Sequence, residues 1–195
     1  LHAIYAKTGL VTYHGPHFCT FGFDKEAEYT QACFYDCVMK DDAVSVLPSK
    51  TAEEYYVIQE GSCEGEIIGG NLCTLNLLQG TPYMPDLNDK VLFIEDDNIM
   101  GDYFVYEFDR NLQSLLQVSG ADSIRGIVFG RFDDGCKLDV NVIRKIITDK
   151  VSPDIPVVFG VDFGHVFPMI TFPIGGKVRI SAKERILNIT LLNEE

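Results

Sequence analysis

Three stretches of the chain are apolar on both faces of a predicted strand, and polar residues follow each of them. They cover residues 91–95, 126–130 and 156–161. Between them, apolar side chains recur at helical spacing over residues 103–118 and from Val140 to about Lys150. Strands that are buried on both faces and alternate with amphipathic helices predict a parallel sheet covered by helices.

The remaining predicted elements are shorter and surround that core. They are strands at residues 10–13, 44–48 and 55–58, helical segments at residues 1–7, 25–39 and 73–78, and a closing hairpin at residues 177–180 and 186–192. Residues 60–66 are glycine-rich and polar, which predicts a loop. The sequence therefore predicts one α/β domain with a small, mostly parallel sheet, flanking helices and extra antiparallel strands.

Composition narrows the class of protein. The chain has 195 residues and a net charge of −13, which argues against nucleic acid as a partner because phosphates need Lys and Arg. No run of eighteen apolar residues occurs, so we expect no membrane span. The first residues contain neither a signal peptide nor an initiator Met, and we expect a cytoplasmic protein from which a preceding part is missing.

The six cysteines change this picture little. They could form disulfides, but a chain with a large apolar core does not need them, so free thiols in a reducing cytosol are predicted. Cys33 and Cys37 are four residues apart on a predicted helix, yet no second Cys or His pair stands at ligand spacing. We expect no metal and no cofactor.

Candidate chemistry lies where two of the strands end. Glu95 closes the strand at residues 91–95, and His165 follows the strand at residues 156–161. Catalytic groups gather at the carboxyl edge of such sheets, so we expect Glu95 and His165 to meet. A carboxylate that orients an imidazole forms two thirds of a catalytic triad. The alternative is that Glu95 caps a helix or pairs with Arg110 or Arg131, and that His165 is an ordinary loop histidine.

The attacking group of such a triad is not evident. No serine stands in a Gly-x-Ser-x-Gly turn, and Ser62, in the glycine-rich segment, is a weak candidate. Cys63 and Cys73 could act as thiol nucleophiles, although small buried hydrophobes are the more usual role. A different alternative pairs Glu95 with Asp97 as glycosidase carboxylates.

Several motifs together resemble the LD-carboxypeptidase family, which comprises serine peptidases of the murein tetrapeptide carboxypeptidase and microcin C immunity protein type. In chain order they are residues 60–72, 78–83, 92–96, 126–132, 160–168 and 173–175. The opening residues 4–16 are similar to the microcin-immunity branch.

The resemblance implies a Ser-Glu-His triad divided between two domains. The family's C-terminal domain, a swivelling β/β/α module, carries the glutamate and the histidine, and these roles fall on Glu95 and His165. The serine belongs to the N-terminal domain, so residues 1–8 would be a remnant helix of that missing domain and residues 9–195 the C-terminal domain. No nucleophile is then expected in this chain.

The implied substrate is a muropeptide or a peptidyl-nucleotide, cut at an amide bond near a free carboxylate. Its expected contacts are Gly69, Gly70, Asn71, Asp97 and Arg131. The chain has no Trp to stack on a nucleotide, so a Phe or Tyr near residues 49–54 would have to replace it. The expected partners are the missing N-terminal domain and a second copy in a homodimer. The alternative function is a non-catalytic dimerisation and substrate-covering module.

Overall fold

The computed structural model describes residues 1–22, 27–50, 54–183 and 186–192 of the chain. The helices are α1 (His2–Thr8), α2 (Ala27–Met39), α3 (Leu72–Asn76), α4 (Phe104–Leu115) and α5 (Val140–Thr148). The strands are β1 (Thr12–His14), β2 (Val44–Ser45), β3 (Tyr56–Gln59), β4 (Gly61–Asn71), β5 (Lys90–Glu95), β6 (Gly126–Gly130), β7 (Val157–Val161), β8 (Phe172–Ile174), β9 (Lys177–Lys183) and β10 (Ile186–Leu192).

The main sheet has parallel strands at its centre and antiparallel strands on both sides. Its order is β2-β10-β9-β4-β5-β6-β7-β3, and β4, β5, β6 and β7 are parallel neighbours. Every residue of β6 and β7 is buried, as strands covered on both faces require. The α/β class and the closing hairpin of β9 and β10 are confirmed.

The two longer helices after β5 bury one apolar stripe each. On α4 the stripe comprises Phe104, Phe108, Leu112 and Leu115. In α5 the Asp139 side chain accepts hydrogen bonds from two backbone amides of the first turn, which fixes where the helix begins.

The predicted end of α4 is wrong: the helix ends at Leu115, and Gly120, with a φ of 86°, begins a short 3-10 turn instead.

The predicted loop at residues 60–66 is also wrong, because residues 61–66 form the first half of β4. That half pairs antiparallel with β9, and the second half pairs parallel with β5. Glycine is required here for close packing, since a Cβ at Gly65 would lie 2.6 Å from the Asp89 carbonyl oxygen. Ser62 therefore lies near the start of β4, opposite Ser181, and at the far end of that strand from Asn71.

The N-terminal residues pack against the sheet. Helix α1 ends at Thr8, and Gly9, whose φ of 70° is left-handed, caps it. The Tyr5 hydroxyl donates a hydrogen bond to Glu66 at 2.6 Å. Strand β1 pairs with β8 in a separate two-stranded sheet. Residues 25–26, the predicted start of α2, lie outside the described residues. In the described part of the chain, no helix is long and apolar enough to cross a membrane.

Candidate active site

Glu95 and His165 meet at the carboxyl edge of the sheet. The His165 Nδ1 atom lies 2.7 Å from Glu95 Oε2, a hydrogen-bond distance. Glu95 is 1% exposed at the end of β5, whereas the His165 side chain is 52% exposed on the loop after β7. The alternative partners of Glu95 are paired elsewhere: Arg110 with Glu107, and Arg131 with Asp162.

A glycine beside the histidine allows this contact. Gly164 has a φ of 117°, which side-chain-bearing residues rarely adopt. A Cβ on Gly164 would lie 3.1 Å from the Glu95 Cβ and 2.9 Å from the Arg131 carbonyl oxygen. The loop therefore passes directly over the carboxylate, and His165 is presented to it from the next position.

The electrostatics of the pair suit an orienting carboxylate. Burial raises the pKa of Glu95, while the hydrogen bond from His165 acts in the opposite direction. Because an ionised Glu95 can only accept, it fixes the proton of a neutral His165 on Nδ1. The Nε2 atom is then free to take a proton from another group.

The pair opens into a cleft of about 400 Å³. Its opposite wall includes His14, at the end of β1, and His17 and Thr20 from the following turn. Burial, followed by the neighbouring charge of His165, lowers the pKa of His14 to about 4, and its ring stacks on Phe172. Among the described residues lining this cleft there is neither a serine nor a cysteine.

Sequence reasoning missed His14. It stands before the Gly15-Pro16 turn, but its placement depends on the pairing of β1 with β8, whose partners are far apart in the chain. No local sequence pattern predicts that pairing. The Gly15-Pro16 turn was the one sequence feature that could have pointed to His14.

The glycine pair at the end of β4 is covered by the N-terminal residues. Gly69 has a φ of 151°, and a Cβ there would lie 1.8 Å from the Phe93 carbonyl oxygen, so only glycine fits. Its amide donates to His2 Nε2 at 3.1 Å. A Cβ on Gly70 would lie 3.1 Å from His14 Nδ1, which places Gly70 beside the cleft. Their contact with substrate stays a prediction.

Asn71 organises the carboxylates that follow Glu95. Its side-chain oxygen accepts from Thr74 N at 2.8 Å and caps α3, while its amide donates to Asp96 at 2.9 Å and to Asp97 at 3.3 Å. Burial raises the pKa of Asp96. Glu95 and Asp97 thus have separate partners, His165 for one and Asn71 for the other.

Arg131 lies on the other side of His165. Its Nε is 2.8 Å from Asp162 Oδ1, and its Nη2 donates to the Pro168 carbonyl oxygen at 2.9 Å. The side chain is 21% exposed and lines a second cleft of about 590 Å³. The rings lining that cleft are Tyr56, Phe132, Phe159 and Phe167. Arg131 therefore has partners already, and its contact with substrate stays a prediction.

The segment expected to hold a stacking aromatic is described only at its ends. Residues 51–53 lie outside the described residues. Ser49, at one end, donates its amide to Asp162 at 2.8 Å. Tyr56, just past the other end, reaches the second cleft.

The two candidate thiol nucleophiles, Cys63 and Cys73, are poorly suited to attack. All six cysteines are unpaired thiols in the structure. Burial raises the pKa of Cys63 to about 11 and raises the pKa of Cys73 as well, whereas a reactive cysteine needs a lowered pKa. Within the described ranges, no three His, Cys, Asp or Glu side chains are grouped as a metal site.

Known proteins resemble this chain over nearly its whole length. It is 42% identical to a putative carboxypeptidase, YocD, from Bacillus subtilis, over 93% of this chain and 60% of that protein. It is 30% identical to the microcin C7 self-immunity protein MccF of Escherichia coli, over 97% of this chain and 62% of that protein. The crystal structure of an MccF-like protein from Bacillus anthracis superposes with a TM-score of 0.93 at 41% identity, over 99% of this chain and 64% of that one.

The chain thus spans roughly three fifths of the length of these relatives. A family model described as the LD-carboxypeptidase C-terminal domain matches residues 64–180, a range that includes both Glu95 and His165. With that match and a relative at 42% identity, the chain belongs to the LD-carboxypeptidase family.

Proposed function

We propose that this chain supplies the glutamate and the histidine of a Ser-Glu-His triad in a serine-type carboxypeptidase. The observation that carries the proposal is the 2.7 Å contact between His165 Nδ1 and the buried Glu95 carboxylate. Pairing of this kind orients an imidazole and stabilises the imidazolium that forms during acyl transfer. The nucleophilic serine would come from a domain outside residues 1–195, in the part of the relatives that this chain does not cover.

In this mechanism, His165 Nε2 takes the proton of the serine hydroxyl as the serine oxygen attacks the scissile carbonyl carbon. Glu95 balances the positive charge on the ring. His165 then returns the proton to the leaving amine, the amide bond breaks, and an acyl-enzyme remains. Water, activated by the same ring, hydrolyses the ester and restores the serine. Because triad members act as a unit, the isolated chain should be inactive.

The proposed substrate is a muropeptide or a peptidyl-nucleotide, cut at an amide bond near a free carboxylate. One solved structure of MccF holds glutamyl sulfamoyl guanosine, and a solved muramoyltetrapeptide carboxypeptidase from Oxalobacter formigenes shares the fold. In this chain, Gly70, Asn71 and Asp97 adjoin the carboxyl edge of the sheet and are the proposed contacts on that side. Arg131 and the rings of the second cleft are the proposed contacts beyond His165, where Tyr56 or Phe132 could stack on a nucleobase.

A second candidate is a dimerisation and substrate-covering module without catalysis of its own. It is favoured by exposed apolar side chains that follow β5, at Ile99, Met100, Tyr103 and Tyr106. These side chains suit a docking surface for the preceding domain or for a second copy in a homodimer. We propose a cytoplasmic location for either function.

A chimera tests the two candidates. The part of the Bacillus subtilis relative that this chain does not match is joined to residues 1–195, and release of the terminal residue from a muropeptide is measured. We expect hydrolysis, a loss of about 10⁴-fold in kcat for Glu95→Gln, and little change for the control Arg125→Gln, since Arg125 is paired with exposed Asp89 at the opposite edge of the sheet. If the chimera with His165→Ala keeps full activity, the triad is contradicted and the covering module is the function that is supported. Activity of the 195-residue chain alone contradicts the split site.

A further inference from the structure

We propose that Arg131 is a positioning residue, which fastens both ends of the loop that carries His165 and so holds the ring against Glu95. Its effect on the ring can be tested without catalysis, and only its effect on turnover rests on the proposed function. The loop is the segment from Asp162 to Pro168, with His165 at its middle.

Arg131 reaches the loop at several points. Its guanidinium pairs with the Asp162 carboxylate at 2.8 Å, at the start of the loop, and donates to the Pro168 carbonyl at 2.9 Å, at its end. Its backbone amide donates to the carbonyls of Val161 and Phe163, both at 3.0 Å. One residue therefore joins the end of β6 to both ends of the segment that presents His165.

Asp162 gives Arg131 a buried ionic partner, although Arg131 Nε and Asp162 Oδ1 do not form a hydrogen bond with each other. It is fully buried, and a buried carboxylate must be paired and hydrogen-bonded to be tolerated. Its Oδ2 accepts from Ser49 N at 2.8 Å and from the Tyr55 hydroxyl at 2.9 Å, and Oδ1 faces Arg131. The hydroxyl of Tyr29 lies 3.2 Å from the same Oδ2 and 2.6 Å from the Leu47 carbonyl. The start of the loop is thus tied to the segment before β3 as well as to Arg131.

Arginine is the residue type that fits these two acceptors. Its guanidinium keeps a positive charge that pairs with the Asp162 carboxylate while Nη2 donates a hydrogen bond to the Pro168 carbonyl. A lysine ammonium could keep the ion pair with Asp162, but it lacks the fork that also reaches Pro168. The site therefore predicts that Arg131→Lys is an intermediate variant and not a neutral one.

The His165 ring depends on the loop for its position. Half of its side chain is exposed, and in the described part of the chain its hydrogen-bond partner is Glu95. Gly164, next to it, adds backbone freedom. A loop released at either end would let the ring leave Glu95, and Arg131 is not itself a member of the hydrophobic core.

The test uses the 195-residue chain labelled with ¹⁵N at histidine. Long-range ¹H–¹⁵N spectra read the tautomer of His165, and the exchange rate of its Nδ1 proton with water reads how often the ring leaves Glu95. We expect Arg131→Gln to speed that exchange roughly tenfold and to mix the tautomers. Asp162→Asn keeps the amide and hydroxyl contacts, removes the ion pair, and should reproduce the effect. Arg131→Lys should fall between.

The control is Arg110→Gln, which removes the arginine paired with Glu107 on α4 and should leave the His165 signals unchanged. An Arg131→Gln protein whose backbone spectrum and His165 signals both match the wild type overturns the proposal. If Arg131→Gln fails to fold, the test uses Arg131→Lys instead. Exchange of the His165 Nδ1 proton at the native rate then overturns the proposal, and faster exchange supports it. In an active chimera Asp162→Asn, which leaves the proposed substrate contact Arg131 in the chain, should lower kcat with KM held. An inactive chimera with faster exchange would refute the proposed function while the positioning role stands.

Discussion

Replacing Glu95 with Gln is the sharpest single test of the carboxylate–imidazole pair. The side chain keeps its shape in the buried site, but the atom facing His165 Nδ1 is no longer charged. In the native chain, Nδ1 lies 2.7 Å from a carboxylate that can only accept, so the neutral ring carries its proton there. A glutamine can offer a neutral acceptor, or it can turn its amide and donate to Nδ1 instead.

The size of the change follows from the kind of bond that is lost. Hydrogen bonds to charged groups contribute about 1.5–3 kcal/mol and neutral ones about 0.5–1.5 kcal/mol, a difference of about 1–1.5 kcal/mol. Half of the His165 side chain is exposed, so solvent screening favours the lower end. The preference for the Nδ1–H tautomer should therefore fall roughly fivefold to tenfold, because 1.4 kcal/mol corresponds to about a factor of ten.

The tautomer ratio is measured by long-range ¹H–¹⁵N correlation at about two pH units above the ordinary histidine pKa of about 6.5. The chain has four histidines, so one substitution at each position assigns the signals. Asp97→Asn is the matched control, because it removes a neighbouring charge whose partner is Asn71. If Glu95→Gln leaves the ratio as it is in the native chain, the contact does not set the ring and the orienting role is wrong.

Three further substitutions test the surroundings of the pair. Gly164→Ala should lower the free energy of unfolding in urea by about 2–4 kcal/mol, because its Cβ adds backbone strain and a clash. His14→Asn should make the free energy of unfolding less dependent on pH. The pKa of His14 is lowered to about 4 in the folded chain. Its contribution to stability is therefore present above about pH 6.5 and is lost as the pH falls towards 4, at up to about 1.4 kcal/mol per pH unit. Asn71→Asp should cost about 1–2 kcal/mol at neutral pH, by thermal unfolding, because it keeps the α3 cap but faces Asp96 and Asp97.

Matched variants separate these effects from general damage. Gly80 also has a positive φ but nothing within 4 Å of its Cβ position, so Gly80→Ala should cost about 1 kcal/mol. A Gly164→Ala cost no larger than this would contradict the close approach to Glu95. His17→Asn, at an exposed site, should leave the loss of stability at acid pH unchanged. If His17→Asn reduced that loss as much as His14→Asn does, the loss could not be assigned to His14. The Asn71→Asp penalty should shrink at low pH, and a penalty independent of pH would exclude charge repulsion.

The sequence was most informative where a property is repeated locally. The runs at residues 91–94, 126–130 and 156–161 are apolar throughout, and they supply most of β5 and all of β6 and β7. Because parallel strands end at one edge, the groups that follow two of them meet there, which made the contact between Glu95 and His165 predictable.

Features made by distant partners could not be predicted in this way. The first half of β4 carries glycines and glutamates that suit a loop, and it is a strand because β9 supplies the hydrogen bonds from more than a hundred residues away. The partner of Arg131 was equally hidden, since Asp162 belongs to another strand end and its burial depends on Tyr55. Local pattern does not encode which charged groups are enclosed together.

The central claim is that this chain holds the base of a triad and that the nucleophile lies outside it. Intact-mass measurement and peptide mapping after treatment with a fluorophosphonate, which reacts with activated serines, test this directly. We predict one adduct on the chimera, located in the part added to residues 1–195, no adduct when His165 is replaced by Ala, and none on the 195-residue chain alone. An adduct on any residue of these 195, or one on the chimera that persists without His165, would contradict the account.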